Sequence, residues 1–195
     1  MHEMLSYLAA ALPPQSSASA RLLALQCALR STRSGHVRLP FGLLRGMRLS
    51  SHITPHRELA EARWLHSPAA PPAAGHGGFT AQLLDAAVLT QAPARSDRAR
   101  AADWALRVCR AGQLRPLGPV PRLLALALTA QAPAAAENGL GERDQLAYMC
   151  GLTTRELTHV LDLLVDAGFL QSWQFDPSTE DAVWSLATPD HPTAY

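Results

Sequence analysis

Residues 153–168 constrain this chain more than any other stretch. Thr153-Thr154-Arg155-Glu156 reads as a capping box. The Thr hydroxyl meets one free N–H of a first helical turn, and the Glu carboxylate reaches back to another. Behind the box, Leu157, Val160, Leu161 and Leu164 follow i, i+3, i+4 and i+7, which predicts a helix with one apolar face. Gly168, after Ala167, supplies the left-handed stop such a helix needs. The flanks continue the pattern. Residues 142–150 predict a short helix holding Leu146 and Met149, and Gly151-Leu152 predicts a turn. Residues 169–175 and 182–186 are strand-like, joined by an acidic turn.

Composition carries the helical expectation to the rest of the chain. Ala (35) and Leu (32) make up a third of the 195 residues, and there is a single Ile, so helix is favoured over sheet. A helix is expected over residues 17–30, capped by Ser17 or Ser19, with Leu22, Leu25 and Leu29 on one face. An extended piece at 37–39 and two helical turns at 41–47 follow. Thr54-Pro55 reads as an N-cap followed by Pro at the first helical position, opening a helix to about Glu61. Residues 63–66 and 79–84 are strand-like around a Pro/Ala/Gly loop at 67–78. Beyond them, Ser96-Asp97 starts a helix to about Ala111 with Ala102, Ala105, Leu106 and Cys109 inward. Another helix begins at Pro121 with Leu123, Leu124, Leu126 and Leu128, and residues 131–139 read as a loop.

The segment from Glu142 to Leu186 resembles the winged helix-turn-helix superfamily. The match rests on Leu146, Met149, Gly151, Leu152, Leu157, Leu161, Leu164, Gly168, Phe169 and Leu170. It covers about 45 residues and is specific for the fold rather than for one family within it. The first part of the chain resembles a degenerate copy. Arg21-Leu-Leu-Ala-Leu25 recurs as Arg122-Leu-Leu-Ala-Leu126. A five-residue match is expected by chance in so Leu- and Ala-rich a chain, but each copy opens the helix that precedes a short helix, a turn, a second helix and a wing. Arg63 stands where the first copy should have its stopping Gly. The expected architecture is therefore mainly α with small β-wings, as two tandem winged helix-turn-helix domains joined by a connector helix. Residues 1–85 form the first unit with an N-terminal helix, 86–120 the connector, 121–188 the second unit and 189–195 a tail.

The resemblance implies DNA contact through the second helix of each pair, with Arg, hydroxyls and N–H groups on phosphates. Charge is sorted along the chain in a way that bears on this. Residues 1–64 hold eight arginines against Glu3, Glu58 and Glu61, whereas residues 123–195 hold Arg143 and Arg155 against ten acids. From Arg21 to Arg57 there are seven arginines and no acid. The expected DNA-binding residues of the first unit are Arg38, Arg45, Arg48, Ser51, His52, Thr54, His56 and Arg57. Thr154, Arg155, Thr158 and His159 form a second set, beside Glu156, Asp162 and Asp166, whose carboxylates repel phosphate. That acidic unit fits a protein partner better. The leading expectation is a cytoplasmic, nucleoid-associated transcriptional regulator acting as a homodimer on double-stranded DNA. The competing one is a tandem winged-helix adaptor that binds protein.

Other chemistries lack their residues. No GxGxxG, GxxxxGK[ST], HExxH or GxSxG string occurs, so no enzyme and no cofactor are expected. His52 and His56 have helical metal-ligand spacing, but Pro55 lies between them and no Cys or carboxylate is near, so no metal is expected. Cys27, Cys109 and Cys150 are widely spaced and read as buried thiols in a reducing compartment. No apolar run reaches the roughly 18 residues that span a bilayer. Every basic residue is Arg and none is Lys, which codon usage in a GC-rich bacterial genome explains.

Overall fold

The computed structural model describes residues 1–49, 53–66, 78–91, 93–132 and 138–187. One order of elements occurs twice. The first copy is α2 (Ala18–Arg30), β1 (His36–Pro40), α3 (Phe41–Gly46), α4 (Ile53–Glu61), β2 (Leu65–His66) and β3 (Gly78–Leu83). The second is α7 (Pro119–Gln131), β4 (Asn138–Gly141), α8 (Arg143–Cys150), α9 (Thr154–Asp166), β5 (Leu170–Phe175) and β6 (Ala182–Leu186). Each copy closes a three-stranded antiparallel sheet with its last strand in the middle, β1-β3-β2 and β4-β6-β5. The molecule is thus mainly helical with two small sheets. Among the described residues no helix is long and apolar enough to cross a membrane.

The copies match down to the turns. Between α3 and α4, Arg48 takes φ 56° and its N–H bonds to Arg45 O, while Leu49 N–H bonds to Leu44 O. Between α8 and α9, Gly151 takes φ 67°, bonding to Tyr148 O, and Leu152 N–H bonds to Ala147 O. The ends of α4 and α9 repeat this, with Arg63 (φ 55°) and Gly168 (φ 71°) in the left-handed position. Trp64 and Phe169 follow, their N–H groups bonded to Leu59 O and Leu164 O. All four are Schellman stops, and in the first copy arginine fills both glycine positions.

The sequence repeat marks the centre of this arrangement. In Arg21–Leu25 and in Arg122–Leu126 every residue is buried. Helices apolar on all sides belong in an interior, and α2 and α7 pack against each other there. The two remaining long helices cross between copies. Helix α1 (His2–Ala11) lies on α2 but also on α7 and α8; α6 (Arg95–Cys109) lies on α7 but also on α2 and α3. Residues 86–120, read from the sequence as a connector, hold α5 (Ala86–Gln91), α6 and a 3-10 turn (Gly112–Leu114), with one face of α6, Ala102, Ala105 and Cys109, in the core.

Three arginines tie the crossing helices together. Arg21, Arg98 and Arg122 each stand four residues after their N-caps, Ser17, Ala94 and Gly118. Each folds back so that Nε donates to the carbonyl just before the cap: Ser16 (3.3 Å), Pro93 (3.2 Å) and Leu117 (3.1 Å). Arg98 Nη1 also donates to Ser31 O at the end of α2 (2.8 Å). Arg122 adds the carbonyls of Cys109, Leu114 and Arg115. A guanidinium fans its donors over several loop carbonyls at once, which no other side chain does. Burial lowers the pKa of Arg21 and Arg122 from its ordinary value, yet arginine stays charged at any physiological pH.

Several boundaries differ from the sequence expectation. Helix α4 starts at Ile53, so Thr54 is inside it rather than its cap. Residues 138–141, expected as loop, form β4; Gly139 faces the Trp184 ring so closely that a Cβ would strike it. Of residues 63–66 only Leu65 and His66 are strand, because Arg63 is in the turn. The tail at 189–195 and the loop at 67–77 fall outside the described residues.

Arg122→Met keeps much of the volume and removes every donor to four carbonyls. At about 1–3 kcal/mol for each buried acceptor left unpaired, less the relief of no longer burying a charge, urea denaturation should show a loss of about 2–4 kcal/mol. A loss below about 0.5 kcal/mol contradicts the tying role.

Candidate nucleic-acid interface

Helices α3 and α4 of the first copy are held from behind by Leu44, Met47, Leu49 and Leu59, all buried. With those side chains inward, Arg45, Arg48, Thr54 and Arg57 are exposed on the other side. Glu58, one of the few acids here, is taken up elsewhere. It accepts from the Ser17 N–H (2.9 Å) and hydroxyl (3.0 Å), closing the start of α2. Glu61 pairs with Arg57 at 3.6 Å in an exposed i, i+4 contact, which is a weak tether that phosphate can replace.

The structure separates the expected set. His56 is half-buried, its ring edge-on to Phe79 with centroids 5.3 Å apart, so it faces the sheet rather than outward with Thr54 and Arg57. Arg38 lies on β1 opposite Thr80 and is not on the α3–α4 surface. Ser51 and His52 lie outside the described residues. Of the seven arginines between Arg21 and Arg57, Arg21 is buried and unavailable to a ligand, and Arg30 pairs with Asp103 at 2.6 Å. Spacing along the chain could not show the fate of Arg30, since its partner comes from a distant element.

In the second unit Thr154, Arg155 and His159 are exposed, while Thr158 is half-buried and its hydroxyl donates to Thr154 O (3.1 Å). The neighbouring carboxylates are largely engaged. Glu156 accepts from the Thr153 N–H and hydroxyl, each 2.8 Å, and Asp162 accepts from Trp173 Nε1 at 3.0 Å. Glu180 binds Arg143, whose guanidinium sits over the Phe175 ring. Asp176 accepts from Ser178 and Thr179, which holds its carboxyl below the ordinary range. Where the first unit shows Arg45, the second shows Tyr148, 52% exposed, with Leu140 at 61%.

The three cysteines are buried and free. Burial pushes the thiols of Cys109 and Cys150 up to about 12, with Cys27 higher still, so none is a nucleophile at neutral pH. Compared with known proteins, the chain matches no family model, no curated protein and no solved structure.

The capping box gives a pH test. The Thr153 backbone and hydroxyl hydrogen bonds lower the Glu156 pKa from its ordinary value. A depressed folded-state pKa adds stability that is present above the ordinary Glu value and lost as pH falls through the folded one. Amides in the first turn of α9 should therefore exchange faster as pH drops below about 4, after correction for intrinsic rates. Glu156→Gln should flatten that dependence; an unchanged profile contradicts it.

Proposed function

We propose that this is a non-enzymatic DNA-binding protein of two tandem winged helix-turn-helix units. In this reading it is a transcriptional regulator on the nucleoid, docking its basic first unit on duplex DNA. The order helix, strand, helix, helix, strand, strand, with the last strand central, supports the winged-helix assignment for both copies. Helix α4 is the groove-facing element, with Arg45, Arg48, Thr54 and Arg57 as its contacts. Thr54 lies in the first turn of α4, where side chains reach base edges, with Arg57 one turn on, and the arginines fork onto phosphate.

The observation that carries this reading is Arg48. It holds a left-handed backbone that disfavours any side chain by about 1–2 kcal/mol. The second copy puts Gly151 at the same place, where glycine has no such penalty. Arg48 also stands close enough to the buried Arg122 to lower that guanidinium's pKa by repulsion. A residue kept against both costs on an exposed turn between two helices has a use outside the fold. Phosphate contact is that use.

Two units joined by one core give a single chain two candidate recognition helices, α4 and the weaker α9, so two-headed docking does not require the homodimer expected from sequence. A second reading, a protein-binding adaptor, is favoured by Tyr148 and Leu140, apolar exposure that the first unit lacks at Arg45 and Arg38. Both readings can hold in one molecule, with the basic unit on DNA and the acidic unit on a protein.

The test is duplex binding against salt for wild type, Arg48→Gly and Arg45→Ala/Arg57→Ala. Arg48→Gly should raise stability by about 1 kcal/mol yet weaken duplex binding, with the salt slope shallower by about one. The double variant should lose about two. No duplex binding at low salt, or Arg48→Gly binding as wild type does, overturns the proposal.

A further inference from the structure

The sheet of the first unit carries a basic cleft that lies apart from the α3–α4 surface. It encloses roughly 640 Å³ between the outer face of β1-β3-β2, the end of α2 and the start of α6. A volume of that size suits a small ligand. His36, Gln82 and His66 form one row across its three strands. Arg38 and Thr80 form the next row on the same face, two residues along. Arg30 closes the cleft from α2 and Arg95 from α6. None of Arg45, Arg48, Thr54 or Arg57 lines it.

Among the described residues, three arginines and two histidines line this cleft, and no carboxylate does. Asp103 pairs with Arg30 from outside it, and Arg38 and Arg95 have no ion-pair partner among the described residues. Two separate elements, β1 and α6, thus bring unpaired like charges to one concave surface. The fold does not require it. At the matching positions of the second sheet, Asn138 faces Ser185 and Leu140 faces Val183, with no charge at all. Unpaired cations gathered on one concave surface in one copy, and absent from the other, point to an anionic ligand.

We infer that this cleft binds a phosphate group, with Arg38 and Arg95 as its principal donors and Arg30, His36 and His66 bordering the same space. Guanidinium forks match phosphate oxygens in pairs, and the Thr80 hydroxyl and Gln82 amide border the same space. The inference stands apart from DNA docking by α4. A phosphorylated small molecule and the phosphodiester backbone of flanking DNA offer the same chemistry, and separate arms of one experiment distinguish them.

The full-length chain is titrated at low salt with inorganic phosphate, with adenosine monophosphate and with duplex DNA. Wild type is compared with Arg38→Gln/Arg95→Gln and with Arg45→Gln/Arg48→Gln. All four side chains are exposed, so the variants should fold. Without ligand the first variant should melt at or slightly above the wild-type temperature, because repulsion is relieved. Phosphate or the mononucleotide should raise the wild-type Tm saturably. That response should fall at least tenfold in affinity in Arg38→Gln/Arg95→Gln and persist in Arg45→Gln/Arg48→Gln. If only duplex binding weakens in the first variant, with a shallower salt slope, the phosphate is that of DNA, and the inference holds for that source. The inference fails if Arg38→Gln/Arg95→Gln changes none of the three bindings. It also fails if the Arg45→Gln/Arg48→Gln variant loses phosphate binding equally.

Discussion

The packing of α2 against α7 is the constraint on which the rest of the structure depends. Both helices are buried on all sides, so neither unit can present its own first helix to solvent. Each of these helices packs on its own unit and on the other's first helix, and α1 and α6 seal the joint by crossing from one copy to the other. Arg21, Arg98 and Arg122 make the joint polar where it must be. The chain entering each helix turns sharply, and a guanidinium gathers the carbonyls the turn leaves. A charge inside an Ala/Leu core is costly alone; bonded to several carbonyls it also fixes the angle at which each helix enters.

The arginines of this chain therefore have three distinct jobs. Arg21, Arg98 and Arg122 belong to the core. Arg45, Arg48 and Arg57 belong to the exposed helix pair of the first unit. Arg30, Arg38 and Arg95 converge on the sheet cleft. The formal charge of +1 conceals this division, as does the simpler sorting of basic first part from acidic last part. In the second unit the acids are less of a barrier than their number implies, because Glu156, Asp162, Asp176 and Glu180 are each held by a named donor.

What the sequence made legible was local. The capping box at Thr153, the stripe Leu157–Val160–Leu161–Leu164 and the stop at Gly168 are set by interactions within four residues, and the structure has each of them. Arg63 as a displaced stopping glycine was legible for the same reason. What escaped depends on distant partners. β4 reads as loop because its strand character comes from pairing with β6, more than forty residues away. Arg21 reads as a surface cation because nothing nearby reveals that it is buried beside Gly151, at the end of α8. Likewise His56 shares a sequence neighbourhood with Arg57 but a spatial one with Phe79. The cleft at Arg38 was invisible, since its lining comes from five separate segments of chain.

Native-state hydrogen exchange tests the shared core most directly. Two units that close over one centre have no independent stability, so the slowest amides of both central helices must open only in global unfolding. The amides of Leu25 in α2 and Leu126 in α7 should exchange with the same free energy, equal to that from denaturant unfolding. Exchange of α2 through an opening several kcal/mol cheaper than that of α7 would show two separable domains and contradict the account.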